Sequence, residues 1–82
     1  MQTNQVSSLA WRARNPATLG AALADYRHRA GLTQAELAAA CDLHRTYLSD
    51  LERGEVASQL ERLFRVVRQL GLELEVRPQD RP

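Results

Sequence analysis

The sequence predicts an all-α domain of four helices followed by one C-terminal β-strand. Three observations carry that expectation. Apolar residues recur at steps of three and four through most of the chain, the period of helices that bury one face. Gly31, Gly54 and Gly71 stand where those periods break, as glycine does at helix exits. The period then changes once, to strict apolar–charged alternation over Leu72-Glu73-Leu74-Glu75-Val76.

The elements follow in order. Residues 1–14 lack a sustained period, are rich in Gln, Ser, Thr and Asn, and read as a flexible arm, with Val6, Leu9, Ala10 and Trp11 as its apolar points. Asn15-Pro16 opens the first helix, because Asn caps free amides and Pro suits the first turn. Leu19, Leu23, Tyr26 and Ala30 then form its stripe. Thr33 and Glu36 have the spacing of a capping box and start a short second helix, Gln34 to about Cys41, with Leu37, Ala38 and Cys41 as its apolar side. Asp42 and Leu43 make a tight turn. The third helix runs from about His44 to Arg53 with Leu48 and Leu51 facing inward. The fourth starts near Ser58 and places Leu60, Leu63, Phe64, Val67 and Leu70 on one side.

Residues 15–71 thus form one helical domain. Residues 72–78 read as a strand, and 79–82 as a tail. Nothing else in the sequence reads as a strand able to pair with 72–78, and a lone strand leaves backbone donors and acceptors unpaired on both edges. The simplest partner is the same strand of a second copy across a two-fold axis. On that reading the chain is a homodimer, and Leu72, Leu74 and Val76 are its dimerisation residues. The alternative is an extended tail that merely covers the helical core.

Length and composition restrict the function classes. The chain has 82 residues, 44% of them hydrophobic, enough for one domain and no second core. Cys41 is the only cysteine, so no disulfide within the chain is available. With no signal-peptide pattern, a cytoplasmic location is expected. Apolar stretches fall far short of the roughly 20 residues of a membrane span, so no membrane partner is expected. Cys41 reads as a small core residue, since Cys41, His44 and His28 fall short of the four ligands of a structural zinc site, and no nucleophile elbow or catalytic pocket is discernible. No metal, cofactor or enzymatic activity is expected. The formal net charge is only +1, but all 11 basic residues are arginine, whose planar fork suits phosphates and guanine edges.

The runs Gly31-Leu32-Thr33-Gln34-Ala35-Glu36-Leu37-Ala38 and Tyr47-Leu48-Ser49-Asp50-Leu51-Glu52-Arg53-Gly54 concentrate the information. Ala38 is small where two helices must cross closely. Leu48 and Leu51 bury one side of the third helix and leave the other free to enter a major groove. With these runs, and the spacing from about Leu19 to Gly71, the chain resembles the Xre family of helix-turn-helix repressors, related to the lambda and Cro repressors. Two positions depart from that pattern. Asp42 stands at the turn position often filled by glycine, and His44 at the cap position often filled by Ser or Thr.

The resemblance implies a DNA-binding repressor whose dimer covers an inverted-repeat operator in double-stranded DNA. It puts Arg45, Thr46 and Asp50 at the base edges, with Gln34, Tyr47, Ser49 and Arg53 on the same exposed surface and Gln34 and Tyr47 suited to phosphates. It also implies an ion pair between Arg27 and Glu52 that ties the first helix to the third. Arg12 and Arg14 read either as stray charges or as backbone and minor-groove contacts. Arg62, Arg65 and Arg68 read as a solvated face or as a surface for an acidic partner. The stretch from Val67 to Pro78 is similar to HipB-type antitoxins, which implies a HipA-like serine/threonine kinase toxin as partner. A stand-alone regulator, and an interaction module that has lost DNA binding, are the competing readings.

Overall fold

The computed structural model describes residues 10–79. Val6 and Leu9 of the arm, and residues 80–82 of the tail, lie outside them. The order is β1 (Trp11–Ala13), α1 (Pro16–Arg29), α2 (Gln34–Cys41), α3 (Arg45–Glu52), α4 (Ser58–Gln69) and β2 (Leu74–Val76).

Local chemistry fixes the helix starts. The Asn15 side chain accepts from the Thr18 amide at 2.8 Å, with Pro16 as the first helical residue. At α2, Glu36 donates its amide to Thr33 Oγ1 at 3.0 Å, and its carboxylate accepts from the Thr33 amide at 2.9 Å. Two otherwise orphaned helix-end amides are thereby satisfied reciprocally. Asp42 takes the turn between α2 and α3 in the left-handed region, φ 60° and ψ 45°. His44 precedes α3 without a side-chain capping bond.

The terminal strand has a partner in its own chain. β1 and β2 pair antiparallel, with Trp11 opposite Val76, Arg12 opposite Glu75 and Ala13 opposite Leu74. This corrects the expectation of a lone strand and of an arm that is loose through residue 14. Three residues are too few to display an alternation, so β1 leaves no periodic trace. Tertiary contacts hold it instead. Ala13 is fully buried, Trp11 Nε1 donates to Asp25 Oδ2 at 3.0 Å, and Arg68 donates to the Arg14 carbonyl at 2.6 Å. Arg12 and Arg14 lie 3.6 and 3.4 Å from the Glu73 carboxylate. On β2, the Tyr26 hydroxyl donates to the Val76 carbonyl at 3.4 Å. Leu74 and Val76 are half-buried within the protomer, while Leu72 is exposed.

The core is thin: Ala13, Ala22, Ala38, Leu48, Phe64 and Val67 are its buried apolar residues. Two close backbone approaches organise it. A Cβ on Gly20 of α1 would overlap the Leu51 carbonyl oxygen and stand 2.7 Å from that of Glu52, so α1 and α3 cross where only glycine fits. Gly54, at φ 80°, would place a Cβ 2.7 Å from the Ala17 Cα. Two sequence expectations fail here. Cys41 is exposed rather than a core residue. Leu63 and Leu70 are also exposed, because α4 turns only its Phe64–Val67 side toward the rest of the chain.

Candidate nucleic-acid interface

The third helix, α3, is the centre of the site. Its inner side is set by Leu48, which is buried, and Leu51, which is half-buried. With an α-helical period this turns Arg45, Thr46 and Tyr47 outward at its N-terminal end, all three exposed, with Ser49 and Asp50 partly exposed beyond them.

An ion pair lies at the last residue of α3, on its inner side. Arg27 Nε donates to Glu52 Oε2 at 2.7 Å and Arg27 Nη2 to Glu52 Oε1 at 3.0 Å. The two side chains are only 8% and 7% exposed. Arg27 also donates to the Leu32 carbonyl at 2.8 Å, so one guanidinium joins α1, the loop before α2, and the end of α3. A fork of this kind uses its donors in fixed directions and is more restrictive than a single contact. The bonds from Arg27, followed by one from Gln34, hold the Glu52 carboxyl below its usual range against the opposing effect of burial, and the same pairing raises Arg27.

Gln34 links this pair to the outer surface. Its amide donates to Glu52 Oε1 at 2.9 Å, and its side-chain oxygen accepts from Arg45 at 3.2 Å. The guanidinium of Arg45 is therefore held at the junction of α2 and α3, and it keeps further donors for another ligand.

The C-terminal end of the surface is organised differently. Arg53 donates to Ser49 Oγ at 2.6 Å, to Asp50 Oδ1 at 2.7 Å and to Glu55 Oε1 at 3.2 Å. Of the seven surface residues the sequence singles out, Gln34 and Arg45 form one cluster and Ser49, Asp50 and Arg53 another; Thr46 and Tyr47 lie exposed on the same helix. Glu55 was missed by sequence reasoning. Its only signal is its position directly after Arg53-Gly54. Two carboxylates oppose Arg53, so the cationic part of the surface is the Gln34–Arg45 end.

With this geometry the chain can present a helix of groove-compatible width, a fixed guanidinium and exposed hydroxyls. A helix-turn-helix family model matches residues 23–76. The chain belongs to the helix-turn-helix family. Within that family, two relatives illustrate the likeness. The control protein C.BamHI of Bacillus amyloliquefaciens is 40% identical over 45 residues, 55% of this chain and 56% of that protein. The ImmF control region 10 kDa protein of Bacillus phage phi105 is 40% identical over 58 residues, 71% of this chain and 64% of that protein. The helix-turn-helix chain described here thus spans between half and two thirds of the length of these relatives. No solved structure gives a significant match. Among the described residues, no helix is long and apolar enough to cross a membrane.

Proposed function

We propose that this protein is a sequence-specific DNA-binding transcription regulator that represses by covering its operator. The observation that carries the reading is the tethered guanidinium: Arg45, at the start of the outward-facing helix, is held by Gln34. A pre-positioned arginine loses little side-chain freedom on binding and suits the O6/N7 edge of guanine. Thr46, Tyr47 and Ser49 lie beside it as polar contacts, and the N-terminus of α2 favours a phosphate. One relative is named a control protein and the other a protein of a control region, which supports a regulatory role.

The operator is an inverted repeat read by a homodimer, with one α3 in each of two major grooves about a helical turn apart. The narrower role of antitoxin to a HipA-like kinase rests on the resemblance of Val67 to Pro78 to HipB-type antitoxins, in which the terminal strand joins two subunits. That strand already pairs with β1, so the stand-alone regulator is the reading we favour. Recovery of such a kinase with the full chain from its native cell would restore the antitoxin role.

Selection from random duplex DNA, followed by equilibrium binding of wild type and Arg45→Ala, tests the proposal. A defined inverted repeat should emerge, and the variant should bind it roughly 5- to 150-fold more weakly. An absence of sequence preference in the wild type would leave a protein-interaction module as the better account.

A further inference from the structure

We infer that the apolar cleft enclosed by α1, α2 and α3 is a binding site for a small, neutral, apolar molecule. The inference does not depend on the DNA reading above, since binding is measured on the protein alone.

The cleft has a volume of about 370 Å³, and only apolar atoms face it. Leu23 and Tyr26 of α1 and Leu37 of α2 form its walls, each half-buried, and Leu48 and Leu51 close it on the α3 side. Leu43, in the turn between α2 and α3, is 45% exposed on its rim, where Cys41 is exposed as well. A core packed to ordinary density leaves no gap of this size. Here the helices meet around small residues, Ala30 from α1 and Ala38 and Cys41 from α2, so the leucines around them stay partly uncovered.

The lining selects the occupant. Tyr26 spends its hydroxyl on the Val76 carbonyl. The Arg27 guanidinium is committed to Glu52 and to the Leu32 carbonyl, so Arg27 meets the cleft only through its apolar stem. Among the described residues, the walls therefore offer no charge and no free hydrogen-bonding group for an ion, a phosphate or a sugar. A second copy of the chain fits no better, because a stable protein interface buries about 800 Å² on each side, far more than so small a cleft presents. A volume near the lower end of small-ligand pockets, roughly 300–1,000 Å³, suits a single aromatic ring or a short aliphatic chain. Such a molecule takes its own surface and that of the leucines out of water together. Leu48 and Leu51 stand on the inner side of α3, so the occupant rests against the back of the helix whose front carries Arg45.

Titration of the full chain with toluene, followed by methyl NMR, should give saturable shifts for Leu23, Leu37, Leu43, Leu48 and Leu51, with NOEs from the ring to those methyls. Benzoate and benzylammonium, similar in size but charged, should bind at least about tenfold more weakly. Toluene should also raise the melting temperature in a concentration-dependent way, as a ligand of the folded state does. Cys41→Leu fills the rim without altering a buried residue. It should weaken toluene binding roughly tenfold or more, the equivalent of about two methylene groups excluded from the cleft. The NOEs in wild type do not depend on that variant folding. Shifts that never saturate, contacts confined to the exposed Leu63, Val66 and Leu70 of α4, equal binding of benzoate, or an unchanged affinity in Cys41→Leu would each overturn the inference.

Discussion

Arg45 and Gln34 share a hydrogen bond of 3.2 Å, and through the other end of the Gln34 amide Arg45 is coupled to the shielded Arg27–Glu52 pair. The arginine proposed to read bases and the packing of three helices therefore share one connected set of polar groups. Gln34→Ala should release the guanidinium and weaken operator binding by about fivefold, close to the worth of one net hydrogen bond. The double variant with Arg45→Ala should lose less than the two single losses combined. Strictly additive losses in equilibrium titrations would show that Gln34 does not act through Arg45.

Gly20→Ala should destabilise the protein by about 1–3 kcal/mol, the range of core overpacking. The sign is diagnostic, since alanine inside a helix normally stabilises by up to about 1 kcal/mol relative to glycine. Urea denaturation measures it. A gain in stability would mean that α1 and α3 do not cross at this distance.

The connection between α2 and α3 leaves stability in reserve. Asp42 holds a left-handed backbone, and glycine there should add about 0.5–1 kcal/mol. His44→Ser supplies a missing cap oxygen and should add about 1 kcal/mol. Thermal melts of the two variants should both shift upward.

Acid should unfold the protein partly through Glu52. Its folded-state pKa lies below that of a free glutamate, so the unfolded state binds the proton more readily. The associated stability is complete above that value and is lost as pH falls through the lower, folded-state value. Asp25, lowered by its bonds from Arg29 and then Trp11, acts in the same direction. Glu52→Gln should flatten the acid side of the stability profile and lower stability at neutral pH, since Arg27 then has a neutral partner.

Asp50→Asn should strengthen DNA binding with little sequence discrimination. Asp50 and Glu55 both engage Arg53, and neutralising one leaves more of its charge for phosphate. The slope of log affinity against log salt should steepen by about one unit if Arg53 then takes a phosphate. An unchanged slope would mean that Arg53 stays folded onto Glu55.

Helix ends were legible because their causes are local. Asn15-Pro16 and the Thr33–Glu36 box act within four residues, and each opens a helix in the structure. The outward side of α3 follows in the same way once Leu48 and Leu51 define its inner side. β1 was not legible, because Trp11–Ala13 becomes a strand only through residues 74–76. The α4 pattern told which residues share a side, but not which of them the chain itself covers; Leu63 and Leu70 share a side with Phe64 and Val67 yet stay exposed. Gly20 offered one overlooked hint, since glycine within a helical period often marks a close approach. The division of the α3 surface into an Arg45 end and an Arg53 end depends on side-chain rotamers, which spacing does not encode.

The seam between β1 and β2 also orders events during synthesis. Trp11–Ala13 leaves the ribosome early, yet its hydrogen-bonding mate is translated roughly sixty residues later. The helices, whose contacts are short in sequence, can form in the interval, and the sheet closes last because its loop is the longest. Until then the nascent chain carries an unmatched tryptophan, open to a chaperone or protease.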